Sequence, residues 1–225
     1  MVQRSERDKN EPCGLICYSE SMNLPEVRIR ASFLLNGAVI PLLLPGLKET
    51  GNEKAATDEY INETVDLYRS SWAPYEEKIL NGMCEVLDLE FKQNTIDAYI
   101  APFGNSFSDP MVISTKYSGD RFIEVFTHEI AHRLLTDNTK ITASVDRKIL
   151  KTWKELFGDD HAWNTLVHIP VHAILEYIFI DILNEPERLE RDIQFCEKYP
   201  PYADAWKYVK QEGYKNILKK LQESY

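Results

Sequence analysis

The 225-residue sequence contains few cysteines and begins without a secretory signal. Its four cysteines, Cys13, Cys17, Cys84 and Cys196, are too few for the disulfide framework of a secreted protein. The first ten residues are polar and charged, whereas a signal peptide needs an apolar core. These two absences predict a protein of the reducing cytoplasm.

Hydrophobic runs of membrane-spanning length are also missing. The most apolar stretch, residues 33–47, is broken by prolines and glycines, and the next, residues 174–183, carries Glu176 and Asp181. A bilayer-spanning helix needs about 20 predominantly apolar residues. We therefore predict that neither stretch crosses a membrane.

Basic residues are outnumbered, with 26 Lys and Arg against 36 Asp and Glu, so the formal charge is −10. An acidic protein of this kind repels the phosphates of nucleic acids and anionic lipid headgroups. The composition therefore predicts neither a nucleic-acid partner nor a membrane partner.

No repeat or linker-like tract divides the chain, and 44% hydrophobic residues are enough to fill a core. We predict a polar N-terminal segment over residues 1–20 and one domain over residues 21–225. Within this domain, an upper lobe is expected over about 21–136 and a helical lower lobe over about 140–225.

Apolar alternation predicts strands in the first half of the chain. It runs from residue 27 to residue 35, and the Asn36-Gly37 turn favours a hairpin return over residues 38–44, at a sheet edge because of Pro41. Residues 95–100 and 111–115 predict two more strands.

Helical periodicity dominates the remainder. Ile61, Val65, Tyr68 and Trp72 recur at helical spacing, and the capping residues at 118–120 predict a helix that ends near Leu135. Every later segment is also predicted helical. A small sheet followed by helices predicts an α+β fold.

The helix predicted to end near Leu135 contains the sequence HEIAH at residues 128–132. Residues four apart share one helix face, so His128 and His132 can bind one metal ion. Glu129 lies beside them, where it can take a proton from a metal-bound water. The spacing therefore predicts a Zn²⁺ site with a general base.

This segment resembles the active-site helix of the zincin metallopeptidases, and of their gluzincin branch in particular. The uncharged residues around the motif match the family pattern: Val125, Phe126, Ile130, Ala131 and Leu134. Arg133 departs from the pattern and is compatible with it if its side chain points to solvent.

The resemblance implies a zincin-like fold, with a small sheet whose edge strand, residues 95–100 or 111–115, lies above the HExxH helix. It also implies a zinc-dependent metallopeptidase that hydrolyses peptide bonds of peptide or protein substrates through a zinc-bound water, with Glu129 as general base. Two alternatives stay open: a non-catalytic zincin-fold protein that binds a peptide or partner, and a metal hydrolase of a non-peptide amide.

A catalytic zinc needs three protein ligands, and HEIAH supplies two. The metzincin arrangement would place a third histidine at position 138, where Asn138 stands. Donors on a later apolar helix are found only at residues 168–176, which contain His168, His172 and Glu176. The third ligand is therefore sought in that helix.

Pro170 is expected in the first turn of this later helix, which leaves His168 at its entrance. His172 and Glu176 fall on one face. The family resemblance favours Glu176 as the third ligand, whereas helix geometry favours His172, and the other residue would then orient a ligating histidine. A hydrogen-bonded pair of these two residues in the core is the alternative.

His168 and Tyr177 are the candidates for stabilising the transition state by hydrogen bonding. Cys13 and Cys17 are interpreted as free thiols, with a zinc-binding role as the alternative. Cys84 and Cys196 are predicted to belong to the core.

Overall fold

A mixed sheet of four strands forms the first part of the fold in this computed structural model, which describes residues 24–39, 57–102, 105–140 and 148–225. The strands are β1 (Glu26–Ala31), β2 (Thr95–Ala101), β3 (Phe107–Ser108) and β4 (Met111–Ser114). Their spatial order is β1-β2-β4-β3, with β1 and β4 parallel to β2 and with β3 antiparallel to β4.

Helices supply most of the remaining described chain. They are α1 (Asp58–Trp72), α2 (Glu76–Leu87), α3 (Gly119–Thr136), α4 (Lys148–Phe157), α5 (Trp163–Tyr177), α6 (Pro186–Cys196), α7 (Pro200–Glu212) and α8 (Tyr214–Ser224), with π-helical segments at Leu35–Val39 and Ile178–Ile182. The first two helices connect β1 to β2, as parallel strands require a crossover. The α+β class predicted from the sequence is confirmed.

Aromatic contacts fix the position of α3 against α1. The ring of Phe122 stacks on Tyr68 at a centroid distance of 4.0 Å, and Phe126 meets Trp72 edge to face at 4.7 Å. All four side chains are buried, and the two α1 residues lie on the face that the periodicity predicted. The face of α3 that carries Phe122 and Phe126 therefore packs on α1, and another face of α3 packs against α5.

The helix α5 runs through the core and packs against α3, α4, α7 and α8. With the π-helical segment after it, Trp163–Ile182 is the one stretch of the described residues that is long and apolar enough to cross a membrane. Within its most apolar window, 67% is buried inside the protein, which is consistent with the core helix of a soluble protein.

Two predictions about the sheet are wrong. Residues 35–39 form a π-helical segment instead of a tight hairpin turn, with the Asn36 amide donating to the Ser32 carbonyl over 2.9 Å, and β1 pairs with β2. The expected edge strands β2 and β4 both lie inside the sheet, and β3 is the edge beside α3. A two-residue strand is too short to produce a periodic signal.

Some predictions fall outside the described residues. These are the polar segment over residues 1–20, the positions of Cys13 and Cys17, and the part of the hairpin return beyond residue 39.

Candidate metal centre

The HEIAH motif lies in the second half of α3, as predicted. The helix begins where the Ser118 side chain accepts a hydrogen bond from the Arg121 amide over 3.3 Å. Its last turn closes with the Asp137 amide donating to the Arg133 carbonyl over 2.9 Å. Local hydrogen bonds therefore define both ends of α3, and His128 and His132 lie in its regular helical part.

The two motif histidines point at one location, with Nε2 of His128 3.1 Å from Nε2 of His132. Two nitrogen ligands of a tetrahedral zinc lie about 3.3 Å apart when each Zn–N bond is about 2.0 to 2.1 Å. Burial lowers the pKa of His132 to about 3 and the pKa of His128 well below its usual value. Both rings are therefore neutral, the form that binds a metal.

His168 joins these two residues from α5. Its ring centroid lies 5.2 Å from that of His128 and 4.9 Å from that of His132, and one donor atom of each residue lies within 4.8 Å of the others. Its Nδ1 is 2.5 Å from the carbonyl oxygen of Asn164, and a carbonyl only accepts. Nδ1 therefore carries the proton, and Nε2 presents a lone pair.

That Nε2 atom is buried and has no hydrogen-bond partner among the described residues. A buried polar atom normally has a partner, so an unpaired one calls for an explanation. A metal ion bound jointly with His128 and His132 would provide it.

The expectation that Pro170 lies in the first turn is wrong. The helix α5 begins at Trp163, so Pro170 is inside it and His168 lies within a regular turn that faces α3. Proline has no N–H to donate to the carbonyl of Leu166. Burial of residues 168–175 in the core offsets this local cost, since tertiary packing overrides helix propensity.

The structure does not bring Glu176 into this group. Its carboxylate accepts a hydrogen bond from Lys210 over 2.8 Å, on the side of α5 that faces α7. His172 is fully buried, and its ring stacks on Trp206 at a centroid distance of 4.3 Å. Neither ring nitrogen of His172 has a hydrogen-bond partner, so the alternative of a His172–Glu176 pair is not seen.

Glu129 faces a cleft of about 370 Å³. Four parts of the chain line this cleft: residues 105–107 at β3, residues 116–117, one face of α3, and residues 192–202 of α6 and α7. Burial raises the pKa of Glu129 to about 8. A carboxylate with a pKa near neutrality, beside two candidate metal ligands, suits a general base.

Tyr202 is a site residue that the sequence did not reveal. Its ring lies 4.0 Å from that of His168 and 6.2 Å from that of His128, and it lines the cleft. Burial raises the pKa of Tyr202 to about 12, so its hydroxyl stays protonated and can donate. Tyr177, the tyrosine nominated from the sequence, is not among the residues that line the cleft.

Arg133, which departs from the family pattern, does not point freely to solvent. Its side chain is 13% exposed and forms an ion pair with Asp109 at 2.8 Å. It also donates to Gln93 over 3.2 Å. The positive charge of Arg133 is therefore balanced by Asp109 next to the motif, and Arg133 is not among the residues that line the cleft.

Comparisons of the chain with protein-family models, with curated proteins and with solved structures gave no match. The functional assignment therefore depends on the motif and on the geometry of the three histidines.

Proposed function

We propose that the protein is a zinc-dependent metallopeptidase in which His128, His132 and His168 hold the ion and Glu129 is the general base. The observation that carries the proposal is the buried, unpartnered Nε2 of His168 beside the HExxH histidines. The likeness to zincins is proposed for this site and the edge strand beside it, and not for the arrangement of the whole sheet.

The three neutral imidazoles fit zinc better than magnesium or calcium, which prefer oxygen ligands. Bound there, the ion would polarise the scissile carbonyl and lower the pKa of a water toward about 7. Three histidine ligands leave one position of a tetrahedron for that water or for substrate.

The chain's own groups perform the remaining steps. The Glu129 carboxylate accepts the proton of the attacking water and delivers it to the leaving amine. The Tyr202 hydroxyl donates a hydrogen bond to the oxygen on which negative charge develops. Residues 105–107 border the cleft, where an extended peptide substrate would lie alongside the edge strand β3.

We assign peptide or protein substrates and a cytoplasmic location. The cleft is open and large enough for several side chains, which suits a peptide. Neither Cys84 nor Cys196 forms a disulfide with another described residue, which is compatible with a reducing compartment.

The substitution Glu129→Gln tests the proposal, with Glu187→Gln, an exposed glutamate on α6, as the matched control. We expect the first variant to keep zinc and fold but to hydrolyse casein and a peptide library at least about a hundredfold more slowly than wild type. The control should match wild type. Equal activity in all three proteins would assign the cleavage to a contaminant.

A zinc-loaded wild-type protein that cleaves no peptide in the library would favour the non-catalytic alternative. Hydrolysis of small non-peptide amides alone, still dependent on Glu129, would favour the amide hydrolase.

A further inference from the structure

A second group of metal-ligating side chains lies next to the three histidines. His172 of α5 and Asp192 and Cys196 of α6 bring a nitrogen, an oxygen and a sulfur atom within 4.8 Å of one another. The exposed fractions of these residues are 0%, 2% and 2%. The three side chains are therefore almost fully buried, and they offer three different donor atoms.

His172 supplies the first sign that this group is incomplete. A neutral imidazole has one N–H donor and one lone pair, and neither nitrogen of His172 has a hydrogen-bond partner among the described residues. The stack on Trp206, with planes inclined by 11°, fixes the ring but pairs neither nitrogen. Its lone pair therefore remains available to a ligand beside Asp192 and Cys196.

Asp192 and Cys196 are four residues apart, as are the two histidines of the HEIAH motif, so they share one face of α6. The Cys196 thiol donates a hydrogen bond to Oδ2 of Asp192, with the sulfur and oxygen atoms 3.6 Å apart, and an ion would replace its proton. Two such atoms on a tetrahedral zinc lie about 3.5 Å apart when Zn–S is about 2.3 Å and Zn–O about 2.0 Å. The two donors thus already stand at the separation that a shared ion requires.

The other oxygen of the Asp192 carboxylate is held from α3. Oδ1 accepts a hydrogen bond from Arg121 over 3.1 Å, and Arg121 also donates to the buried Glu124 over 2.6 Å. These bonds orient the carboxylate, with Oδ2 on the side of Cys196. A hydrogen-bonded ligand of this kind is typical of protein metal sites.

We propose that His172, Asp192 and Cys196 form a second zinc site, separate from the site of His128, His132 and His168. One thiolate and one carboxylate balance the charge of the dication, and the mixed nitrogen, oxygen and sulfur set selects zinc over magnesium or calcium. Asp192 and Cys196 also line the cleft, so the fourth position opens toward it. This ion links α5 to α6 whether or not the protein is a peptidase.

Cobalt substitution distinguishes the two sites, since only the second contains a thiolate. Wild-type protein loaded with Co²⁺ should bind two ions per chain and show the near-ultraviolet thiolate-to-cobalt charge-transfer band. Cys196→Ser should lose the band and one of the two ions. His128→Ala should keep the band and lose the other ion.

Two controls address the remaining cysteines of the full chain. A Cys13→Ser/Cys17→Ser double variant and a Cys84→Ser variant should both keep the band at wild-type intensity. A band that survives Cys196→Ser, or that disappears in the double variant, overturns the proposal.

Because Cys196→Ser changes a buried position, a second measurement uses the unmodified wild type. Zinc should slow alkylation of Cys196 by iodoacetamide at least tenfold, as mapped by mass spectrometry, and should leave the rate at Cys84 unchanged. Equal rates at Cys196 with and without zinc overturn the proposal.

The proposal and the proposed function fail separately. One ion per chain, lost in His128→Ala and unaccompanied by a thiolate band, removes the second site and leaves the peptidase site intact. Two ions per chain with the band, in a protein without hydrolytic activity, would support the second site and contradict the proposed peptidase function.

Discussion

His168 donates its Nδ1–H to the carbonyl oxygen of Asn164, one helical turn earlier, over 2.5 Å. A metal-ligating histidine commonly donates its second ring N–H in this way, which fixes the tautomer and the ring orientation. The acceptor belongs to the backbone, so the orientation of His168 is a property of α5 itself.

The third metal ligand is tested by His168→Ala, with Glu176→Gln as its matched control on the same helix. We expect His168→Ala to lose tight zinc binding at the HEIAH site, because two ligands remain from three. Glu176→Gln should bind zinc as wild type does, since its carboxylate pairs with Lys210 instead. Zinc titration against a competing chelator, in a Cys196→Ser background that leaves one site, measures both affinities.

The opposite pattern, tight binding without His168 and weak binding without Glu176, would return the ligand to the position favoured by the gluzincin resemblance.

Tyr202→Phe should lower kcat for peptide hydrolysis by about a hundredfold and change KM little, because it removes a hydrogen bond made in the transition state. Phenylalanine keeps the ring that packs on His168, so zinc content should not change. Tyr177→Phe is the control, and we expect wild-type kinetics from it. If both variants lose activity equally, Tyr202 has no specific part in the chemistry.

The buried ion pair of Glu124 should contribute strongly to folding. Its fully buried carboxylate binds Arg121 at 2.6 Å and Arg191 at 2.6 Å. Glu124→Ala should lower the free energy of unfolding by about 3 kcal/mol, because it removes a buried carboxylate and leaves the Arg121 side chain, which is 18% exposed, paired with Asp192 alone.

Glu155→Ala, which breaks an exposed pair with Lys151, should cost less than about 0.5 kcal/mol. Urea unfolding at saturating zinc compares the two variants, and similar losses would contradict the assigned role of burial.

Gly119 permits the close approach of α3 to α1. A Cβ atom added there would lie 2.6 Å from the Ser71 hydroxyl but 3.6 Å from the Ser71 Cβ. Gly119→Ala should therefore lower the free energy of unfolding by about 1 kcal/mol through overpacking. Ser71→Ala in the same chain should restore most of the loss, whereas purely additive effects in the double-mutant cycle would refute the contact.

Local signals made the HEIAH helix predictable. Ser118 caps it, the motif lies on it, and the structure places its bounds at Gly119–Thr136, within a residue or two of the expected ones. The strands over residues 95–101 and 111–114 were equally visible, because their apolar pattern is short-range. The order of the strands in the sheet was not predictable, since it depends on which distant segments of the chain pair.

The position of His168 was not predictable from local rules. Pro170 favoured a helix start that would have left His168 at the entrance, but burial of α5 in the core outweighs the missing hydrogen bond. Tyr202 follows two prolines at the start of α7 and belongs to no motif. Likewise, the sequence places Asp192 and Cys196 on one helix face but does not show that His172 meets them.

His168 and His172 lie one turn apart on the same helix. Both proposed ions therefore depend on the position of α5 along its axis. An ion at either site holds α5 in the position that the other site requires, which raises the second affinity, and such linkage is reciprocal. Binding of the two ions is then cooperative. As free zinc falls, the two sites should empty together over a narrow concentration range and not one after the other.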